Sequence, residues 1–189
     1  MSATRLEAFS DGVIAIIITI MVLEIRPPQE ATFAALRSAQ PTILAYILSF
    51  VFVAIYWNNH HNLLHATRSI SGGVMWANMH LLFWLSLTPF VTAWVGEAHA
   101  HTAPAAVYGL VALMAGVAYS ILVVTILKAN PGSAVARAIG SDAKGRISIL
   151  LYALGMALAF VQPWLAYAAY AIVSAIWLIP DRRLVHVER

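Results

Sequence analysis

Apolar positions along the chain gather into six runs, at about residues 6–25, 42–64, 74–95, 105–127, 147–161 and 164–179. Runs of this length and character predict membrane-spanning helices. The last two runs are divided only by Gln162 and Pro163. Proline suits the first turn of a helix, so the pattern predicts a tight hairpin of two short spans rather than one very long helix. A short span is tolerated where it packs on protein or where the bilayer thins locally. Pro27-Pro28 through Gln40 is predicted as a connector with a short helix near residues 31–39, and residues 130–145 as a polar loop containing Pro131, Gly132 and Gly140. Ala112, Gly116 and Ser120 recur at every fourth position, a spacing that lets membrane helices approach closely. No internal repeat and no separate soluble domain interrupt the pattern. Residues 1–189 are therefore expected to form a single transmembrane domain.

Charge gives the runs an orientation. Placing the N-terminus in the cytoplasm puts Arg5, Arg68, Lys128, Arg137, Lys144, Arg146, Arg182, Arg183 and Arg189 inside, and only Arg26 and Arg37 outside. This bias supports cytoplasmic N- and C-termini and an even number of spans. Composition agrees, since 61% of residues are hydrophobic and 10% charged, too few charges to cover a soluble surface of this size. The basic pI near 9.5 arises from loop residues, so it reflects membrane topology and not nucleic-acid binding. The chain has no cysteine, which excludes disulfides and thiolate chemistry. A cleaved signal peptide is not expected, because Glu7 and Asp11 acidify the would-be n-region and no small-residue cleavage site follows Glu24.

The first run is unusual. Only 12 uncharged residues separate Asp11 from Glu24, about 18 Å of helix against a hydrocarbon core of roughly 30 Å. Either its ends are submerged or other helices shield it from lipid, and Asp11 should face protein or water. At about 100° per residue, Ile16, Thr19, Ile20 and Leu23 share one sector with Gly12 and Phe9, while Asp11 points to the other side. A helix between an aqueous path and its own bundle would have these two faces.

A polar layer is predicted at matching depth. The second run carries Tyr56, Trp57, Asn58, Asn59, His60 and His61, then His65, and the third carries Trp76, Asn78 and His80. With the topology above, Asp11, Asn58, His61, Asn78 and His80 lie at similar depth in the inner third of the membrane, where a buried hydrogen-bonded network is expected to anchor the first helix. His61 and His65, one turn apart, could instead ligate a metal or haem. The histidines are too few and too loosely arranged for that reading, and no metal or cofactor is expected.

The motif Arg5, three residues, then Phe9-Ser10-Asp11, followed by Ala15 through Glu24, resembles the first helix of the transmembrane protein 175 family of potassium channels in its prokaryotic single-repeat form. Tyr56-Trp57 with His60-His61, and Trp76 and Asn78 leading into Leu81-Leu82-Phe83 and Pro89-Phe90, are similar to its second and third helices. The resemblance is specific over residues 5–96 and hydropathic beyond. It implies an all-α channel of six transmembrane helices per subunit, assembled as a homotetramer in the cell (plasma or inner) membrane, with the first helix lining a central pore. It also implies a constriction at Ile16, a selectivity layer at Thr19 and further pore-facing positions at Ile20 and Leu23. The permeant species is then potassium or another monovalent cation. A proton-conducting channel, or a proton-coupled transporter using Asp11 and the histidines as a relay, is the alternative. Nucleophile-elbow, phosphate-loop and paired-carboxylate motifs are absent, so an enzyme is not expected.

Overall fold

The computed structural model describes residues 2–98, 100–133 and 143–178. Arg137, Gly140, Arg182, Arg183 and Arg189, used above for loop character and orientation, lie outside the described residues. Among the described residues all regular structure is helical: α1 (Ala3–Leu23), α2 (Phe33–Ser38), α3 (Gln40–His65), α4 (Gly72–Ser86), α5 (Thr88–Ala98), α6 (Thr102–Ala129), α7 (Ala143–Leu158) and α8 (Pro163–Leu178). Four stretches are long and apolar enough to cross a membrane, namely Ala3–Leu23, Gln40–His65, Gly72–Ala98 and Thr102–Ala129, and Pro163–Leu178 is a shorter apolar helix.

Local chemistry sets most helix ends. The Ser2 and Ser71 hydroxyls accept the backbone N–H of Arg5 and Val74, capping α1 and α4. Thr32 caps the short α2 in the same way by accepting from Ala35. The third apolar run is not one unbroken helix. It pauses at Leu87, because Pro89 has no N–H to offer the Leu85 carbonyl and its ring crowds that carbonyl. Pro163 begins α8 as expected, while α7 starts at Ala143, earlier than the apolar run it carries.

Helix α6 is the spine of the bundle, packed against α4 on one side and α7 on another. Its buried positions include Ala105, Ala112, Ala115, Ala118, Leu122 and Ile126, and the small side chains permit close helix contact. At the predicted small-residue stripe, a Cβ on Gly116 would stand 3.6 Å from Ile149 and from Tyr56, ordinary contact. The tightest approach falls two turns earlier. A Cβ on Gly109 would overlap the Tyr170 hydroxyl, which donates to the Ala105 carbonyl at 3.0 Å. Gly109→Ala is thus expected to destabilise the subunit by about 1–3 kcal/mol through overpacking, read as a lowered unfolding temperature in detergent. Tyr170→Phe in the same chain should recover part of the loss, and a Gly109→Ala protein as stable as the parent would refute this packing.

At the end of α6, Asn130 accepts from the Ser69 N–H at 2.8 Å and donates to the Ser69 carbonyl at 3.1 Å. The α3–α4 turn is thereby fastened to α6, and this fixes where α4 enters. Helix α1 lies along one flank of the bundle, against α3, α4 and α5.

Candidate pore helix and its polar anchor

Helix α1 has two unlike faces. Leu6, Ser10, Ile14, Ile17 and Met21 are buried in the bundle. On the opposite side Phe9, Ile16, Ile20 and Leu23 are 48%, 59%, 41% and 79% exposed in the isolated subunit, with Gly12 and Thr19 also open. These are the six positions that helical phase groups together. The Thr19 hydroxyl donates to the Ile16 carbonyl at 2.9 Å. Its proton is committed to its own helix, so the oxygen lone pairs remain available on the open face.

The buried face is held by a neutral chain of hydrogen bonds. Ser10 Oγ donates to the Leu6 carbonyl at 2.8 Å and accepts from Asn78 Nδ2 at 2.9 Å. Asn78 Oδ1 in turn accepts from His60 Nε2 at 2.6 Å. All three side chains are fully buried. This links α1 to α4 and α4 to α3 at one depth, and it assigns the His60 proton to Nε2, leaving Nδ1 as an acceptor without a partner.

The charged groups lie at the edge of this chain, not inside it. Asp11 is half-buried and accepts from Trp57 Nε1 at 3.0 Å. The Trp57 ring stacks on His61, with centroids 5.8 Å apart, and His61 stacks on His65 at 5.9 Å. His61 Nδ1 stands 2.8 Å from Glu7 Oε1. Arg5 is exposed, its backbone N–H engaged by Ser2.

Two expected members of the network are elsewhere. Asn58 is exposed and borders a surface hollow with Phe50, Trp177 and Leu178. His80 accepts from Trp84 Nε1 at 2.9 Å on its own helix. The cause is helical phase: Asn58 and His80 each sit two residues from an inward-facing partner, His60 and Asn78, which turns them about 200° away.

A second polar cluster had no sequence signal. Thr92 Oγ1 lies 2.6 Å from Ser49 Oγ and 2.7 Å from the Thr88 carbonyl, and Ser49 Oγ lies 3.1 Å from the Tyr108 hydroxyl. It ties α3, α5 and α6 near the C-terminal half of α1, where Thr92 also meets Met21 Sδ at 3.9 Å. Ser and Thr are common in apolar helices, so their pairing is visible only once the helices are placed.

The sequence pattern of the family described as "Endosomal/lysosomal potassium channel TMEM175" matches residues 5–89. A potassium channel of Chryseobacterium sp. is 49% identical to this chain over 185 residues, covering 97% of this chain and 96% of that one. The chain belongs to the TMEM175 family. In three dimensions it is similar to the crystal structure of a lysosomal potassium-selective channel TMEM175 homolog from Chamaesiphon minutus, with a TM-score of 0.83, 28% identity, and coverage of 95% of this chain and 97% of that one. An endosomal/lysosomal proton channel TMEM175 of Danio rerio is 39% identical over 82 residues, 36% of this chain and 16% of that one.

The TMEM175 pattern therefore takes in α1, α3, α4 and the start of α5, which together hold the Ser10–Asn78–His60 chain. Likeness to TMEM175 relatives does not stop near residue 96. It runs through α6, α7 and α8, as the 97% coverage shows. The family is one of ion channels, not a class of enzymes, and its apolar helices make this chain a multi-pass membrane protein.

Proposed function

We propose that this chain is a potassium-permeable cation channel in which α1 lines the pore. The observation that carries the reading is the division of α1: one face is locked into the bundle by Ser10, and the other leaves Phe9, Gly12, Ile16, Thr19, Ile20 and Leu23 exposed on the isolated subunit. A helix with so little uncharged length is poorly suited to face lipid along its whole open side. Copies of the subunit around a closed axis would cover that side and leave a path at its centre, each residue becoming a ring.

The subunit is read as six spans with both termini in the cytoplasm, four such subunits forming the channel in the cell membrane. α7 and α8, at 16 residues each, reach about 24 Å and require packing against α6 or local thinning of the bilayer. Potassium as the permeant ion is supported by the names of the Chryseobacterium and Chamaesiphon relatives. Ile16 forms the apolar constriction, and Thr19, with its lone pairs turned outward, supplies the oxygen ring next to it. With no backbone carbonyl filter in the sequence, discrimination over sodium is expected to be modest.

A proton-conducting channel is the second reading, favoured by the name of the Danio rerio relative and by Asp11 and His61 beside α1. Reconstitution in liposomes with potassium, sodium or proton gradients separates the readings. Potassium flux that exceeds sodium flux, and falls toward sodium in Thr19→Val, is the expected outcome. Flux that follows only the proton gradient would overturn the potassium reading, and saturable coupled flux would indicate a transporter.

A further inference from the structure

Glu7, Asp11 and His61 lie outside the buried anchor and are not used by the conduction pathway proposed above. The two carboxylates are one turn apart on α1, and the imidazole reaches them from α3. One ligand-capable atom from each falls within 4.8 Å of the others. Two further observations bear on what this cluster holds. Among the described residues neither carboxylate is paired with a lysine or arginine, and the ion pair in the cluster is that of Glu7 with His61. His61 Nδ1 is shielded from solvent and, although 2.8 Å from Glu7 Oε1, meets no hydrogen-bond geometry. The ring is only partly buried, its side chain 42% exposed, so water can reach the cluster while Nδ1 faces Glu7.

We propose that Glu7, Asp11 and His61 form a binding site for a divalent transition-metal ion of the zinc or nickel class, bridging α1 and α3. The ligand chemistry selects the class. An imidazole nitrogen favours zinc, nickel, cobalt or copper over magnesium and calcium, which prefer an all-oxygen shell. Three protein ligands leave a position for water, and metal–ligand bonds of about 2.0–2.2 Å would draw the donor atoms closer than the 4.8 Å within which they lie. Torsions of the Glu7 and Asp11 side chains supply that contraction. Trp57, which donates to Asp11 and stacks on His61, is the outer group that orients two of the ligands. The sequence suggested a different pair, His61 with His65. In the structure those rings stack on each other at 22°, so His65 lies beside the first ligand and the carboxylates of α1 complete the set.

The ion would fix the start of α1 to α3, a second fastening besides the Ser10–Asn78 bond. The existence of the site is independent of the channel reading, and only its effect on flux rests on it. Calorimetric titration of the protein in detergent with Zn²⁺, at a millimolar Mg²⁺ background, is expected to show one saturable site per subunit. Affinity should fall at least tenfold in both Glu7→Gln and His61→Gln and stay at the parent value in Glu97→Gln. Glu7→His, which places a second imidazole in the cluster, should raise Ni²⁺ affinity at least tenfold, a gain that misfolding does not produce. Absence of a saturable site in the parent protein, or equal affinity in Glu7→Gln, His61→Gln and the parent, would overturn the proposal. Potassium flux with and without Zn²⁺ then reports separately whether the fastening alters conduction.

Discussion

Replacing Ile16 with asparagine is expected to raise basal potassium conductance at least roughly tenfold and to flatten the preference over sodium. Ile16 is the broad apolar side chain at the middle of the open face of α1, 59% exposed in the subunit. In the proposed ring of four it would exclude water from the axis, so that an ion would pass only by shedding hydration. Asparagine at each position offers amide groups that replace part of that shell. A barrier lowered by about 1.4 kcal/mol gives a tenfold gain in rate, a modest demand on four polar side chains acting at one level. Because Ile16 takes no part in the core of its own subunit, the fold should be preserved. Single-channel recording or liposome flux measures the effect, and currents equal to those of the parent would remove Ile16 from the pathway.

The second large effect is on stability, and it falls on Asn78 more than on Asp11. Asn78→Leu leaves the buried His60 Nε2–H without an acceptor and Ser10 without its donor. Each orphaned group costs about 1–3 kcal/mol, so a total loss of about 2–5 kcal/mol is expected, with α1 released from the bundle. On the sequence alone Asp11 belongs to a buried charged network, and stripping it of its partner is expected to cost about 3–5 kcal/mol. The structure lowers that figure. Asp11 is half-buried and holds one hydrogen bond, from an exposed tryptophan, so Asp11→Ala should cost no more than about 1–2 kcal/mol. Thermal unfolding in detergent, followed with the fraction of intact oligomer, compares the two variants. An Asp11→Ala protein less stable than Asn78→Leu would contradict the neutral anchor. Adding Ser10→Ala to Asn78→Leu should cost less than the sum of the separate changes, since both act on one chain of hydrogen bonds.

The amino-acid sequence by itself determined where the helices run and which side of α1 stays out of the bundle. Apolar length marks a span because lipid supplies no hydrogen bonds to the backbone, and Pro163 opens α8 because its missing N–H is not needed there. The outward grouping of Ile16, Thr19, Ile20 and Leu23 follows from the 3.6-residue period alone. Depth along each helix is legible as well: the topology set by charge puts Asn58, His61, Asn78 and His80 at the level of Asp11. Azimuth was not. A layer of polar residues at one depth gives no indication of which of two neighbours turns inward, and only packing chose Asn78 over His80 and His60 over Asn58. The same holds for Glu7 with His61 and for Thr92 with Ser49: each pair joins helices whose relative rotation is fixed by contacts far along the chain. The close fit of Gly109 to Tyr170 depends on how α6 and α8 meet, a matter of tertiary structure that no local pattern carries.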